Sequence, residues 1–534
     1  MKKKISSASL AESFYLIWTL ALTVLCLIFL VLGNRSAVLG TLFWATVILG
    51  LFVCRPGSGL HRVTMDDLSS RYEKATVIVI ILVVAMCILP MSDSPLWNGE
   101  VPGHRNQYEL MAEALLDGRI SLEYGDEAGL LALENPYDPQ QRTDSGVTYH
   151  WDHAWYNGNY YMYFGIVPVL LVFLPFRVLT GVALTTYHAT QLFTGLTILG
   201  IFFLLRLLAK QFFPKLSYGV YISTASAFSV VSIWFSIAQP ALYCTAITSA
   251  LCLQVWSLYC FAKAVWEQNE VNSQLRWAAL GAILGALVFG CRPTIGLANL
   301  LVVPLLVTFL KEHPITPALM GKLFLAALPY ALVAAFLMLY NYARFGDPFE
   351  FGQTYQLTVA DQTNLGDLSD AAVRLRLYND TYESFLGLTH IGEKFPFIGH
   401  SGVFVNFPML LLVFEIFRED IRVGMRELKL RGYCACLFLL PFLITLLAVL
   451  WSPYLLERYR MDIYFLLCIL TFLVIGLRMR SLNKEKRNRF GACIMALSLV
   501  TLLTCLGLHM VSVKSFLPMD VDRMEAILFF WKYL

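Results

Sequence analysis

Long apolar runs separated by short polar joints make up most of this chain, and the runs have the length a helix needs to cross a bilayer. At 1.5 Å per residue, roughly 20 residues cover about 30 Å of hydrocarbon, and helices satisfy their backbone groups within the segment itself. The pattern predicts thirteen spans, near residues 14–32, 36–54, 75–91, 187–208, 216–237, 241–264, 277–291, 294–311, 321–341, 402–417, 433–451, 461–477 and 491–512. One stretch breaks it. From Met91 to about Tyr187 the chain is polar, rich in carboxylates and closed by a dense aromatic run.

The basic residues orient these spans. Lys2, Lys3 and Lys4 place the N-terminus in the cytoplasm, because short basic flanks are retained on that side. The joints then predicted to be inside carry Arg55, Arg62, Arg71 and Lys74, then Arg206, Lys210 and Lys215, then Lys263, Arg276, Lys311 and Lys322. The two strongest clusters, Arg418 to Arg431 and Arg478 to Arg489, also fall inside. This parity decides the segment from Ile166 to Gly181, which is apolar but short and interrupted by Pro168 and Pro175. If it crossed, every later joint would change sides, so it reads as an interfacial or re-entrant helix on the outer face.

The chain therefore divides into a two-span extension (1–74), a core (75–477) with outer loops 92–186 and 342–401, and a last span with an outer tail (478–534). Residues 14–32 are too long for the apolar part of a cleaved leader, and no small-residue cleavage site follows, so the first span is expected to be a retained anchor. The expectation is an all-α polytopic protein of the plasma membrane, N-terminus cytoplasmic and C-terminus extracytoplasmic.

Composition agrees. Of 534 residues, 58% are hydrophobic and 14% charged, against about a quarter charged in soluble domains, and the mean hydropathy is +0.63. A net charge of +3 conceals a basic inner and an acidic outer side, and no basic stripe suggests a nucleic-acid partner. Walker A, GxGxxG, HExxH and GxSxG motifs are absent from the sequence. All twelve cysteines lie in or beside predicted spans, which argues against disulfides and a cysteine metal site.

Candidate chemistry sits outside the spans. Residues 106–118 place Leu110, Met111, Ala114 and Leu115 on one side and Glu109, Glu113 and Asp117 on another, predicting an amphipathic helix that ends at Gly118 and is suited to lying on the membrane. Its acids read either as a solvated face or as site groups. Further on, residues 149–165 gather aromatics that serve as interfacial anchors or as platforms for sugar faces. Asp152, between His150 and His153, reads either as a base whose pKa burial raises or as a satisfied turn residue.

Arginines near the membrane need a reason, since each costs about 2.5–3.5 kcal/mol at a helix centre. Arg292 precedes Pro293 at the break between two spans, where it meets either a phosphate or an internal carboxylate. In Glu457-Arg458-Tyr459-Arg460-Met461-Asp462, the arginine forks suit phosphate oxygens or simply pair with Glu457 and Asp462. Arg344 follows a span through the turn at Gly346-Asp347-Pro348 and is placed for a headgroup or phosphate.

Taken in order, these segments resemble the GT-C superfamily of polytopic glycosyltransferases, with the bacterial protein mannosyltransferase and aminoarabinose transferase families nearest. The resemblance rests on the helix at 106–118, Gly158-Asn159-Tyr160-Tyr161-Met162-Tyr163-Phe164-Gly165-Ile166-Val167-Pro168, Arg292-Pro293-Thr294, Tyr340-Asn341-Tyr342-Ala343-Arg344-Phe345-Gly346-Asp347-Pro348 and Glu457-Arg458-Tyr459. It implies transfer of a hexose or pentose from a polyprenyl-phosphate donor to an acceptor at the outer face. Such enzymes carry an acidic pair early in the first loop, where this chain has His104 and Arg105. The resemblance then leaves Glu100, Glu109 or Asp152 as the acid.

The same resemblance puts His104, Arg105, Tyr108, His153, Tyr161, Arg292, Arg344, Arg458, Tyr459 and Arg460 on the substrate side. A second acid, a metal ligand in some members, is expected near residues 239–243 and is missing, which argues against a divalent metal; no cofactor is assigned. Two rivals remain: a catalytically inactive scaffold or polymerase subunit of the same fold, and a lipid-linked sugar transporter or flippase, for which no inverted repeat is seen.

Overall fold

The computed structural model describes residues 54–92, 107–125, 127–240, 242–363, 368–388, 399–450, 452 and 456–516, together with Ile28, Gly50 and Phe52. Spans expected at 14–32 and 36–54 lie almost wholly outside these residues, as do Glu100, His104 and Arg105. The long elements in chain order are α1 (Ser70–Ser92), α2 (Gln107–Leu116), the hairpin β1 (His153–Tyr156) and β2 (Asn159–Met162), α3 (Val169–Thr180, whose first turn is π-helical) and α4 (Thr186–Phe212). There follow α5 (Tyr218–Ala238), α6 (Leu242–Trp266), α7 (Val271–Phe289), α8 (Pro293–Glu312), α9 (Pro317–Phe345), α10 (Ala371–Leu386), the 3₁₀ segment α11 (Pro408–Phe417), α12 (Arg431–Leu450), α13 (Glu457–Ser481) and α14 (Lys484–Phe516).

Among the described residues nine helices are long and apolar enough to cross a membrane, namely α1, α4, α5, α6, α8, α9, α12, α13 and α14. The protein is an integral membrane protein. Two expected spans come out differently. Near 277–291 the helix α7 extends back to Val271, so that Asn272, Ser273, Gln274 and Arg276 fill its first turns. Near 402–417, Pro408 divides the segment into a four-residue helix and α11, since proline cannot donate to the preceding turn.

Burial sorts the helices into layers. α5 and α13 are almost wholly buried, whereas little of α1 and α9 is buried. In lipid their exposed apolar surface, such as Ile81, Met86, Phe324 and Leu325, faces acyl chains. α4 and α7 flank α6, α14 runs along α5, and α12 packs on α13. The last span is thus part of the bundle rather than an appendage. Inside α5, the hydroxyls of Thr224, Ser226, Ser229 and Ser232 donate to carbonyls four residues back, which satisfies polar groups where water is excluded.

The amphipathic helix behaves otherwise than its pattern suggests. Its apolar side, including Tyr108, Met111 and Ala114, is buried in a protein core with Phe164, Val169 and Phe173. α3 covers the face expected to lie on the membrane, and Arg177 of α3 pairs with Glu113 at 2.8 Å. α3 itself stays short and leaves Leu171, Phe176, Val178 and Leu179 exposed, the surface expected of an interfacial helix.

Candidate functional site

The aromatic run folds into the β1–β2 hairpin because Asn157 and Gly158, at φ 49° and 79°, supply the two left-handed residues of a tight reversal. His153 opposes Met162 and Trp155 opposes Tyr160. A distant segment adds to its edge: Trp155 N–H donates to Tyr355 O, Leu357 N–H to His153 O and Asp152 N–H to Leu357 O, each at 2.9 Å. This pairing joins the loops 92–186 and 342–401 and brings Gln356 and Thr358 to Asp152.

Asp152 is buried and left-handed, with φ 57°, a region in which aspartate is tolerated better than most residues. Gln356 Nε2 donates to its Oδ1 at 2.8 Å, and the Tyr243 hydroxyl donates to Oδ2. Burial pushes its pKa above the usual carboxylate range. The Tyr243 hydrogen bond, the charge of Arg458 and hydrogen bonds from Gln356 and Thr358 act in the opposite direction.

Asp152 opens onto a cavity of about 600 Å³. Tyr163, Tyr243, Arg292, Arg344, Arg458 and Tyr459 also line it, with apolar walls from Phe164, Phe289, Leu337 and Phe351. Charge and apolar surface thus share one space. Close backbone approach shapes it: Gly165 and Gly290 face each other, and Val167 N–H donates to Gly290 O at 2.9 Å.

The three lining arginines differ in what they have left to give. Arg344 donates to Met162 O at 2.9 Å and to Asn341 Oδ1 at 2.7 Å and sits over the Tyr340 ring, so its fork mainly holds the hairpin against α9. Arg292 gives Nε to both oxygens of Asp462 at 2.8 Å, while its terminal amino groups bond no acceptor among the described residues. Arg458 stacks on Tyr243 at 4.1 Å. Among the described residues no carboxylate pairs with it and no acceptor takes its hydrogens.

Other expected site residues lie elsewhere. Tyr108 is core, stacked between Phe164 and Phe173. Tyr161 packs edgewise on Phe345 at 5.3 Å. His153 is held by Tyr124 at 2.7 Å and Trp151 O at 2.9 Å, and burial lowers its pKa to about 4. Arg460 donates to Ser401 O at 2.7 Å. None of the four lines the cavity, nor does Glu109 on α2. Glu457 approaches His400 at 3.5 Å, so neither Glu457 nor Asp462 pairs with Arg458 or Arg460.

Sequence reasoning missed Tyr243, Gln356, Thr358 and Tyr163 as site residues. The Asn157-Gly158 pair between alternating aromatics was the available sign of the hairpin. Among the described residues Asp152 is the one carboxylate in the cavity lining, and no group of three His, Cys, Asp or Glu side chains is placed to hold a metal. Both Asp152 oxygens accept hydrogen bonds within the protein.

Fold and site together describe a helical integral membrane protein with a charged cavity where its polar loops meet the span ends. Compared with family models, curated proteins and solved structures, the chain matches none.

Proposed function

We propose that this chain is a thirteen-span GT-C-type glycosyltransferase of the plasma membrane, acting on the extracytoplasmic face with a polyprenyl-phosphate sugar as donor. The observation that carries this reading is the shared cavity, in which Asp152 lies with Arg458 and Arg292 beside apolar walls. A lipid-linked sugar phosphate needs all three features: cations for the phosphate, apolar surface for the first isoprene units, and a carboxylate near the anomeric carbon.

In the proposed reaction an acceptor hydroxyl oxygen attacks the anomeric carbon. The new C–O bond forms as the bond from that carbon to the phosphate oxygen breaks, and the hydroxyl proton passes to Asp152. The electron pair leaves with polyprenyl phosphate, whose added charge Arg458 and the terminal amino groups of Arg292 stabilise. Tyr459 and Tyr163 supply ring faces for the sugar. Sugar and acceptor are unassigned.

The test gives purified protein labelled polyprenyl-phosphate sugars and an extract of cell-envelope acceptors. Transfer that Asp152→Asn reduces by about 10²-fold or more supports the assignment. Undiminished transfer by that variant eliminates Asp152 as the base, and movement of the donor across vesicles without transfer favours a flippase. One observation favours the inactive-scaffold reading: Asp152 already accepts from Tyr243 and Gln356, as a structural carboxylate would. Binding of donor with no turnover would establish that alternative.

A further inference from the structure

At the other end of the bundle, four helix ends converge on a second polar space. α13 starts beside the Asp152 cavity at Tyr459 and ends at Ser481, a length of roughly 35 Å at 1.5 Å per residue. There its last turn meets the end of α4 and the starts of α5 and α14. Two adjoining cavities of about 410 and 390 Å³ lie between them and share Lys215, Met479 and Arg487 as lining residues.

The lining is strongly cationic. Lys215, Arg480 and Arg487 border the first cavity, and Arg62, Lys215, Lys484 and Arg487 the second. Arg480 is paired with Glu427 at 3.1 Å. Among the described residues, Arg62, Lys215, Lys484 and Arg487 have no acidic partner and no side-chain hydrogen bond. Of the neighbouring acids, Glu485 pairs with Arg489 at 2.7 Å and Glu73 holds Arg206, while among the described residues Asp66, which accepts from Thr64 at 2.5 Å, and Asp67 form no ion pair. Four cations, none within ion-pair distance of a carboxylate among the described residues, outnumber the two nearby aspartates and make the concavity attractive to an anion.

A second observation points the same way. Ser217 is the N-cap of α5 yet its hydroxyl caps nothing. An N-cap serine ordinarily accepts from the first turn of its helix, whereas Ser217 Oγ is buried, borders the second cavity and has no hydrogen-bond partner. The positive end of the α5 dipole opens at the same place. On the other flank, Phe212, Phe213 and Leu216 give the first cavity an apolar wall.

We propose that this space is a binding site for a phosphate ester, distinct from the Asp152 cavity. The ester oxygens are held by Lys215 and Arg487, with Ser217 donating its hydroxyl. Arg62 and Lys484 close the second cavity over the anion, and the Phe212–Leu216 wall accommodates the start of an acyl chain when the ester is an anionic phospholipid. On the charge parity of the joints this face is cytoplasmic, where anionic lipids and soluble phosphate esters both occur.

The experiment titrates detergent-purified full-length protein, by calorimetry, with dihexanoyl phosphatidylglycerol, dihexanoyl phosphatidylcholine and glycerol 3-phosphate. Saturable binding of phosphatidylglycerol, weakened at least about tenfold in a Lys215→Gln/Arg487→Gln double variant, supports the site. If glycerol 3-phosphate binds as tightly, the source is a soluble ester; if it does not, the source is the lipid. No binding of either anion overturns the proposal, as does equal binding of phosphatidylcholine or binding the double variant leaves unchanged. Lys215 is exposed and Arg487 partly so, so the double variant is expected to fold. Should its melting temperature fall, an Arg62→Gln/Lys484→Gln variant at two exposed positions of the same site provides the same reading.

Discussion

Arg292 and Asp462, separated by 170 positions in the chain, are locked together by Nε donating to both carboxylate oxygens at 2.8 Å. Thr294 adds a third bond to Asp462 at 2.7 Å, so the break between α7 and α8 is fixed to the start of α13. Asp462 is 1% exposed. Replacing Arg292 by alanine leaves that carboxylate buried without its counter-ion, at an expected cost of about 3–5 kcal/mol. Arg292→Ala should therefore melt far below the wild type, and adding Asp462→Leu should restore much of the loss. Melting of the single and double variants in one detergent checks this.

The Tyr243 hydroxyl opposes the effect of burial on Asp152. Burial raises the Asp152 pKa and the Tyr243 hydroxyl lowers it, because a donor stabilises the charged form. A base works deprotonated, so transfer should fall as pH drops through this raised pKa. Tyr243→Phe removes the donor but keeps the ring beneath Arg458. Its acid limb should move to higher pH, with the rate on the alkaline plateau much less affected. An unmoved limb in a full pH–rate profile would show that another group titrates.

His153 should contribute nothing to that limb. With its pKa lowered to about 4 by burial, it is neutral throughout the physiological range. His153→Gln breaks the bond to Tyr124 in a buried setting and is expected to lower stability by about 1–3 kcal/mol. The pH–rate profile, compared between wild type and variant, should superimpose after scaling.

The helices long and apolar enough to cross a membrane, nine among the described residues, were legible in hydropathy, because lipid imposes its length on apolar runs. What surrounds Asp152 was not. Gln356 lies 204 residues away and arrives through strand pairing with the hairpin edge, a contact that no local pattern encodes. Nor could the sequence choose between Arg458 and Arg460. Both occupy the 3₁₀ turn Glu457–Arg460, where residues two apart are rotated by roughly 240°, so one faces the cavity and the other the Ser401 carbonyl. The α2 helix misled for a related reason: an amphipathic face shows that something covers it, not whether that is lipid or α3.

Arg458 rather than Arg460 should determine donor affinity. Loss of a charge-assisted bond to phosphate corresponds to about 1.5–3 kcal/mol, or roughly 10- to 100-fold. Arg458→Ala is expected to raise the KM for donor by that factor, whereas Arg460→Ala should change it little. Arg458→Lys should recover only part, since an ammonium loses the planar stack on Tyr243. Steady-state kinetics with varied donor distinguish the three variants.

Gly165 is where the loop carrying the hairpin meets the helix break that carries Arg292. A Cβ built there would collide with Gly290 O and lie 2.7 Å from Cys291 O, both rigid backbone atoms. Gly165 is therefore required by space and not by backbone twist, since it is not among the positive-φ glycines. Gly165→Ala must push the loop away from α7, straining the Val167–Gly290 hydrogen bond and displacing Asp152 relative to Arg292. Overpacking of this kind costs about 1–3 kcal/mol, and the cavity geometry should suffer as well. The expected result is a lowered melting temperature together with a reduced kcat. Gly181→Ala serves as the comparison: its added Cβ meets nothing within 4 Å, but φ is 70°, so it should lower stability through backbone strain and leave kcat unchanged.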